Sequence, residues 1–100
     1  MNIDRDQLYD GAKDLVERLA DRIPDADVET FLSLHDVGEP IYLLNLLCAG
    51  LIKWKTPITP EERDALATLV VGVASTNERY PFLVDAEGTL AAVNVVEQRG

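Results

Sequence analysis

One hundred residues, 47% apolar and 27% charged, are enough for a single domain that buries its own core without metal or disulfide staples. The one cysteine, Cys48, excludes an internal disulfide, and the opening Met-Asn-Ile-Asp-Arg-Asp lacks the basic start and apolar run of a secretory signal, so a cytoplasmic protein is expected. The net charge of −9 is concentrated in residues 1–39, where eleven carboxylates face four basic side chains; such a field repels nucleic acid and anionic membrane and favours a basic partner.

The first helix is expected to start at Asp4, whose carboxylate can cap the orphan N–H groups, and to run to about Arg22 before Pro24 forbids continuation. Leu8, Ala12, Leu15, Val16, Leu19 and Ile23 recur on one apolar face. Opposite them Asp6, Asp10, Asp14, Glu17 and Asp21 fall within a wedge of roughly 80°. Like charges at these spacings destabilise the helix by on the order of 1 kcal/mol, with Lys13 and Arg18 on the flanks to relieve part of the repulsion. A solvated face would look like this, and so would a surface kept for a partner.

The run Asp25-Ala26-Asp27-Val28-Glu29 begins like a calcium loop but lacks the glycine and the distal bidentate glutamate, so no metal is expected. Asp25 reads better as the N-cap of a short second helix, with Asp27 and Glu29 favoured at its positive end and Val28, Phe31, Leu32 and His35 facing inward. Gly38 can close that helix in the left-handed conformation. His35 lies at the same terminus, with no catalytic motif around it.

Glu39-Pro40 then opens the central helix, residues 40–54, with proline in its first turn. Ile41, Leu43, Leu44, Leu46, Leu47, Leu51 and Ile52 point nearly all round the cylinder, so this helix is expected to be buried on every side. At ~15 residues it falls short of the ~20 that span a bilayer. Asn45, polar among leucines, must find a partner or cost roughly 1 to 3 kcal/mol. Cys48 and Gly50 read as small residues that let another helix approach, and Trp54 as the rim of the core.

Thr59-Pro60-Glu61-Glu62 is a capping box with proline at the first helical position, and Ile58 stands where a hydrophobic staple would. The helix is expected to reach Ser75 or Thr76, with Leu66, Leu69, Val70 and Val73 inward and Gly72 at a close helix crossing. Beyond it, 80–84 and 89–96 flank the acidic turn 85–88. Their β-branched content favours a hairpin with Gly88 at positive φ, although Leu90, Val93 and Val96 also satisfy a helical spacing. The expected fold is mainly α: a small bundle of about four helices around a buried central helix, with a C-terminal β-hairpin.

No phosphate loop, zinc-type cysteine or histidine pairing, or nucleophile elbow is present, so neither an enzyme nor a cofactor is expected. Gly38-Glu39, then Leu43-Leu44-Asn45-Leu46-Leu47-Cys48, Leu51 and Pro57-Ile58-Thr59-Pro60-Glu61-Glu62 with the apolar helix after it resemble the pattern of MafI-type immunity proteins over roughly residues 28–75. The chain departs from that pattern at Ala49, Lys53 and Lys55, where members often carry acids. The resemblance implies a small, helical, acidic bacterial protein of the cytoplasm that binds a cognate toxin domain and blocks its active site.

If the toxin is a nuclease, its cationic cleft would suit the stripe Asp6, Asp10, Asp14, Glu17 and Asp21, with Asp25, Asp36 and Glu39 next in line. The competing expectation is an oligomeric helical scaffold or adaptor, a homo-oligomer joined through Trp54, Tyr80 and Phe82, with the acids merely solvating its outside.

Overall fold

The computed structural model describes residues 3–73 and 77–96. In chain order it forms α1 (Arg5–Leu19), a single 3-10 turn (Ala20–Arg22), α2 (Asp25–Asp36), α3 (Pro40–Lys53), α4 (Pro60–Val73), α5 (Pro81–Val84) and α6 (Ala86–Ala92). None of these helices is long and apolar enough to cross a membrane.

The entry to α1 is the one its sequence dictates. Asp4 accepts from the Asp6 N–H at 3.4 Å while Gln7 reaches back to the Asp4 N–H at 3.4 Å, a reciprocal cap. Five α1 side chains, Leu8, Ala12, Leu15, Val16 and Leu19, are buried, and the helix packs with them against α2, α3 and α4. The entry to α2 differs from expectation: Pro24, not Asp25, is its N-cap residue, so Asp25 is the first helical residue and no side chain caps that end. The exit from α2 runs through Gly38 at φ 82°, with the Gly38 N–H donating to the His35 carbonyl and the Glu39 N–H to that of Leu34. This is a Schellman closure, and glycine bears the left-handed conformation at no steric cost.

Helix α3 touches all five other helices. Its Leu43, Leu44, Leu47, Cys48 and Leu51 are at most 1% exposed and form the centre of the core. Burial is nevertheless not complete on every side. Tyr42 and Lys53 are exposed and Leu46, Ala49 and Ile52 partly so, which leaves one strip of the helix at the surface. Asn45 is satisfied: its Oδ1 accepts the Phe82 N–H at 3.1 Å and so caps the start of α5.

Two of the small residues serve contacts other than helix crossings. Gly50 makes room for the Trp54 ring one turn further on, since a Cβ there would lie 2.7 Å from Cζ3. Gly72 admits Ile3, whose N–H donates to the Gly72 carbonyl at 3.1 Å. The expected end of α4 at Ser75 or Thr76 lies outside the described residues.

The C-terminal hairpin does not form. Residues 81–84 and 86–92 are helical, and Gly88 lies inside α6 with its N–H donated to the Asp85 carboxylate at 3.1 Å. An Asx cap therefore occupies the stretch that resembled a turn; of the residues at helical spacing, Leu90 inside α6 and Val93 at its C-cap are buried, whereas Val96 is exposed. The extended backbone comes later and pairs elsewhere. Ile58 and Val95 form an isolated parallel bridge, with the Ile58 N–H donating to the Asn94 carbonyl at 3.0 Å and the Val96 N–H to that of Ile58 at 2.8 Å. Ile58 is 1% exposed and tethered to this C-terminal strap, and the position it would staple is the polar Arg63.

Candidate functional site

All eight carboxylates singled out by sequence, Asp6, Asp10, Asp14, Glu17, Asp21, Asp25, Asp36 and Glu39, are exposed. The fold sorts them into three groups. Asp6, Asp10, Asp14 and Glu17 run along the outer face of α1, repeating about every 6 Å where the spacing is four residues. Asp21, in the 3-10 turn, and Asp25, at the start of α2, share the corner between the first two helices.

Asp36 and Glu39 flank Gly38 at the next corner, and that corner returns to α1. A Cβ on Gly38 would lie 3.0 Å from the Tyr9 hydroxyl, His35 Nε2 stands 3.1 Å from the Tyr9 carbonyl oxygen, and the two rings meet edge to face at 4.9 Å. The end of α2 that carries Asp36 thus packs against α1 at Tyr9, the residue before Asp10. Asp36 also sits at the negative end of the α2 dipole, where a carboxylate is disfavoured.

The basic residues expected to relieve the stripe do not do so. Arg18 turns away towards α4, with Nε 3.2 Å from Glu62 and an Nη 3.6 Å from Glu61. Arg22 makes a two-pronged contact with the same Glu62 at 2.8 and 2.7 Å and reaches the Pro57 carbonyl. Among the described residues the ion pairs gather on Arg18 and Arg22, with Asp21 as the single member of the stripe included. Among the described residues Asp6, Asp10, Asp14 and Glu17 have no cation within ion-pairing distance, and Lys13 has no carboxylate.

Glu62 is the residue that sequence reading underrated. It was legible as a capping-box glutamate, and its Oε1 does accept the Thr59 N–H at 2.8 Å while Thr59 Oγ1 accepts the Glu62 N–H at 3.2 Å. It is also only 2% exposed and clamped by Arg22, which holds its carboxyl well below the usual range, at about 2. The signal lay in Arg18 and Arg22, four residues apart on the edge of the apolar face. This cluster is saturated with partners and ties α1 to α4.

Cys48 and His35 do not meet in a nucleophilic arrangement. Cys48 is fully buried in α3, and burial pushes its thiol up to about 12, out of reach of the reactive thiolate form at neutral pH. Among the described residues no three histidine, cysteine, aspartate or glutamate side chains are grouped to hold a metal ion. Of the aromatic residues, Tyr80 stands beside Tyr42 in the first turn of α3, whereas Trp54, 40% exposed, closes the last, ~18 Å along the axis. No family model, curated protein or solved structure matches the chain.

Proposed function

We propose that the protein is an immunity protein that binds and neutralises a basic toxin domain, in the manner of the MafI-type proteins its sequence resembles, with the outer face of α1 as the inhibitory surface. The carrying observation is the unpaired stripe. Four exposed carboxylates repel one another along one helix while Arg18 and Arg22 are committed to a buried glutamate on α4 and Arg5 lies over the Tyr9 ring. That arrangement lowers the stability of the free protein, and binding to a cationic cleft would relieve it.

A toxin acting on RNA or DNA would offer such a cleft, because its own substrate is a polyanion. The immunity protein would then act by occupancy, in the cytoplasm, with no chemistry of its own. Acids at the corner of α2 and α3 extend the surface beyond a single helix, which suits a cleft better than a point contact.

The test is a pull-down from the source bacterium followed by identification of the captured protein and assay of its toxicity. The parent protein should capture a basic toxin domain and suppress its activity. The triple variant Asp10→Lys, Asp14→Lys, Glu17→Lys should do neither. Suppression by both proteins alike would overturn the proposed surface, and capture of nothing but further copies of the chain would overturn the function.

A further inference from the structure

Beside the corner of α2 and α3 the surface opens into a concavity of about 640 Å³ lined by Leu34, Glu39, Tyr42, Arg79 and Tyr80. Two of its walls are aromatic. Tyr42 is 42% exposed, Tyr80 half-buried, and their ring centroids lie 6.3 Å apart with planes tilted by 47°. The rings are splayed, so part of each remains open to a ligand. Glu39 also lines it, exposed, making no cap bond to the helix it precedes and no ion pair among the described residues.

The chemistry of this lining is selective. Aromatic faces carry negative potential and attract cations, most strongly a guanidinium that can also stack on the ring. A carboxylate at the rim adds a charge-assisted hydrogen bond that arginine can meet in a two-pronged way. Asp36, three residues upstream and exposed, adds a second negative charge near the same edge, at the negative end of the α2 dipole. The opposing charge is Arg79, which also lines the concavity, is exposed and is not ion-paired to Glu39.

We propose that this concavity is the anchor pocket for an arginine side chain of the partner, with Tyr42 and Tyr80 holding its planar head and Glu39 pairing with its charge. The inference rests on the reading above that the partner is basic, and it adds a specific docking point that the charge of the stripe does not supply. The stripe provides long-range attraction, which is salt-sensitive and tolerant of register. A pocket of aromatic rings and one carboxylate fixes the register. Tyrosine and arginine are the residue types in which binding energy concentrates.

The experiment is an NMR titration of the full-length protein with the tripeptide Gly-Arg-Gly and, as a neutral isostere, Gly-citrulline-Gly. Ring resonances of Tyr42 and Tyr80 should move with the arginine peptide and stay in place with citrulline. Affinity should fall at least about fivefold in Tyr42→Ala and in Glu39→Gln, and survive in Tyr42→Phe, which keeps the ring. Arg79→Ala removes a like charge and should tighten binding.

Equal response to both peptides, or weakening by Arg79→Ala, would overturn the assignment. The two proposals also separate cleanly in the toxin complex. A complex that is lost on reversing Asp10, Asp14 and Glu17, but forms normally with Tyr42→Ala and Glu39→Gln, would overturn the pocket and leave the immunity reading standing. Peptide binding in the pocket with no toxin captured would do the opposite.

Discussion

Glu62 shows how much a single side chain can hold. Its carboxylate is buried, receives both prongs of Arg22 and a third contact from Arg18, and closes the capping box of α4. Replacing it with alanine removes the partner that Arg18 and Arg22 share, although each keeps a more exposed contact, and should cost about 1 to 3 kcal/mol, measurable by urea unfolding. The pH dependence has a definite sign. Arg22 depresses the folded-state value from 4.5 to about 2, so the carboxylate's contribution is fully present above about pH 4.5 and disappears as the pH falls through 2. Stability should therefore drop steeply across that window in the parent and much less in Glu62→Gln, which should be the less stable of the two at neutral pH. Cys48 is the complementary case. Its burial predicts that a thiol reagent labels the native protein at the rate of unfolding, and labelling at the rate of a free thiol would contradict the packing of α3.

At the level of elements, the helices whose ends carry a chemical mark were legible and those decided by packing were not. Asp4, Gly38, and Thr59 with Glu62 mark their termini by side-chain or backbone chemistry that the sequence carries, whereas the part of Gln7 in the first cap is seen only in the structure. The C-terminal segment was misread because Asp85 and Gly88 suit a tight turn as well as an Asx cap, and the valines that suggested a strand stand at and beyond the end of α6. Lys55 was not legible at all. It takes φ 51° in the closure of α3, a left-handed conformation that glycine would adopt without strain, and its carbonyl accepts the Asn94 amide at 2.9 Å. Lys55→Gly should accordingly stabilise the protein by about 0.5 to 1 kcal/mol, read as a raised urea midpoint. The stripe on α1 makes the reverse trade. Neutralising Asp10 and Asp14 to asparagine should raise stability by a few tenths of a kcal/mol at low ionic strength, and the gain should vanish in high salt. No gain at low salt would mean that solvent already screens the stripe.

For the molecule as a whole, the helical class and the burial of α3 followed from composition and periodicity, while the strap that closes the fold did not. Ile58 reads locally as part of a helix entrance, yet it is held by Asn94 and Val96 from the far end of the chain, a pairing with no local sequence signature. The exposure of Asp6, Asp10, Asp14 and Glu17 was legible for the same reason the core was: the apolar face of α1 fixes which way its opposite face points. The spacing of Arg18 and Arg22 marks them as a pair, but that they turn to Glu62 depends on where α4 packs against α1. Among the described residues this leaves Asp6, Asp10, Asp14 and Glu17 without an ion pair, which underlies the functional proposal. The most direct test is the salt dependence of affinity between the protein and the toxin domain it captures, compared with that of the Asp10→Asn, Asp14→Asn, Glu17→Gln variant. A steep loss of affinity between about 50 and 500 mM salt for the parent, and a much shallower one for the variant, is the predicted result. Parallel salt dependences and equal affinities would contradict it, and would place the binding surface elsewhere on the molecule.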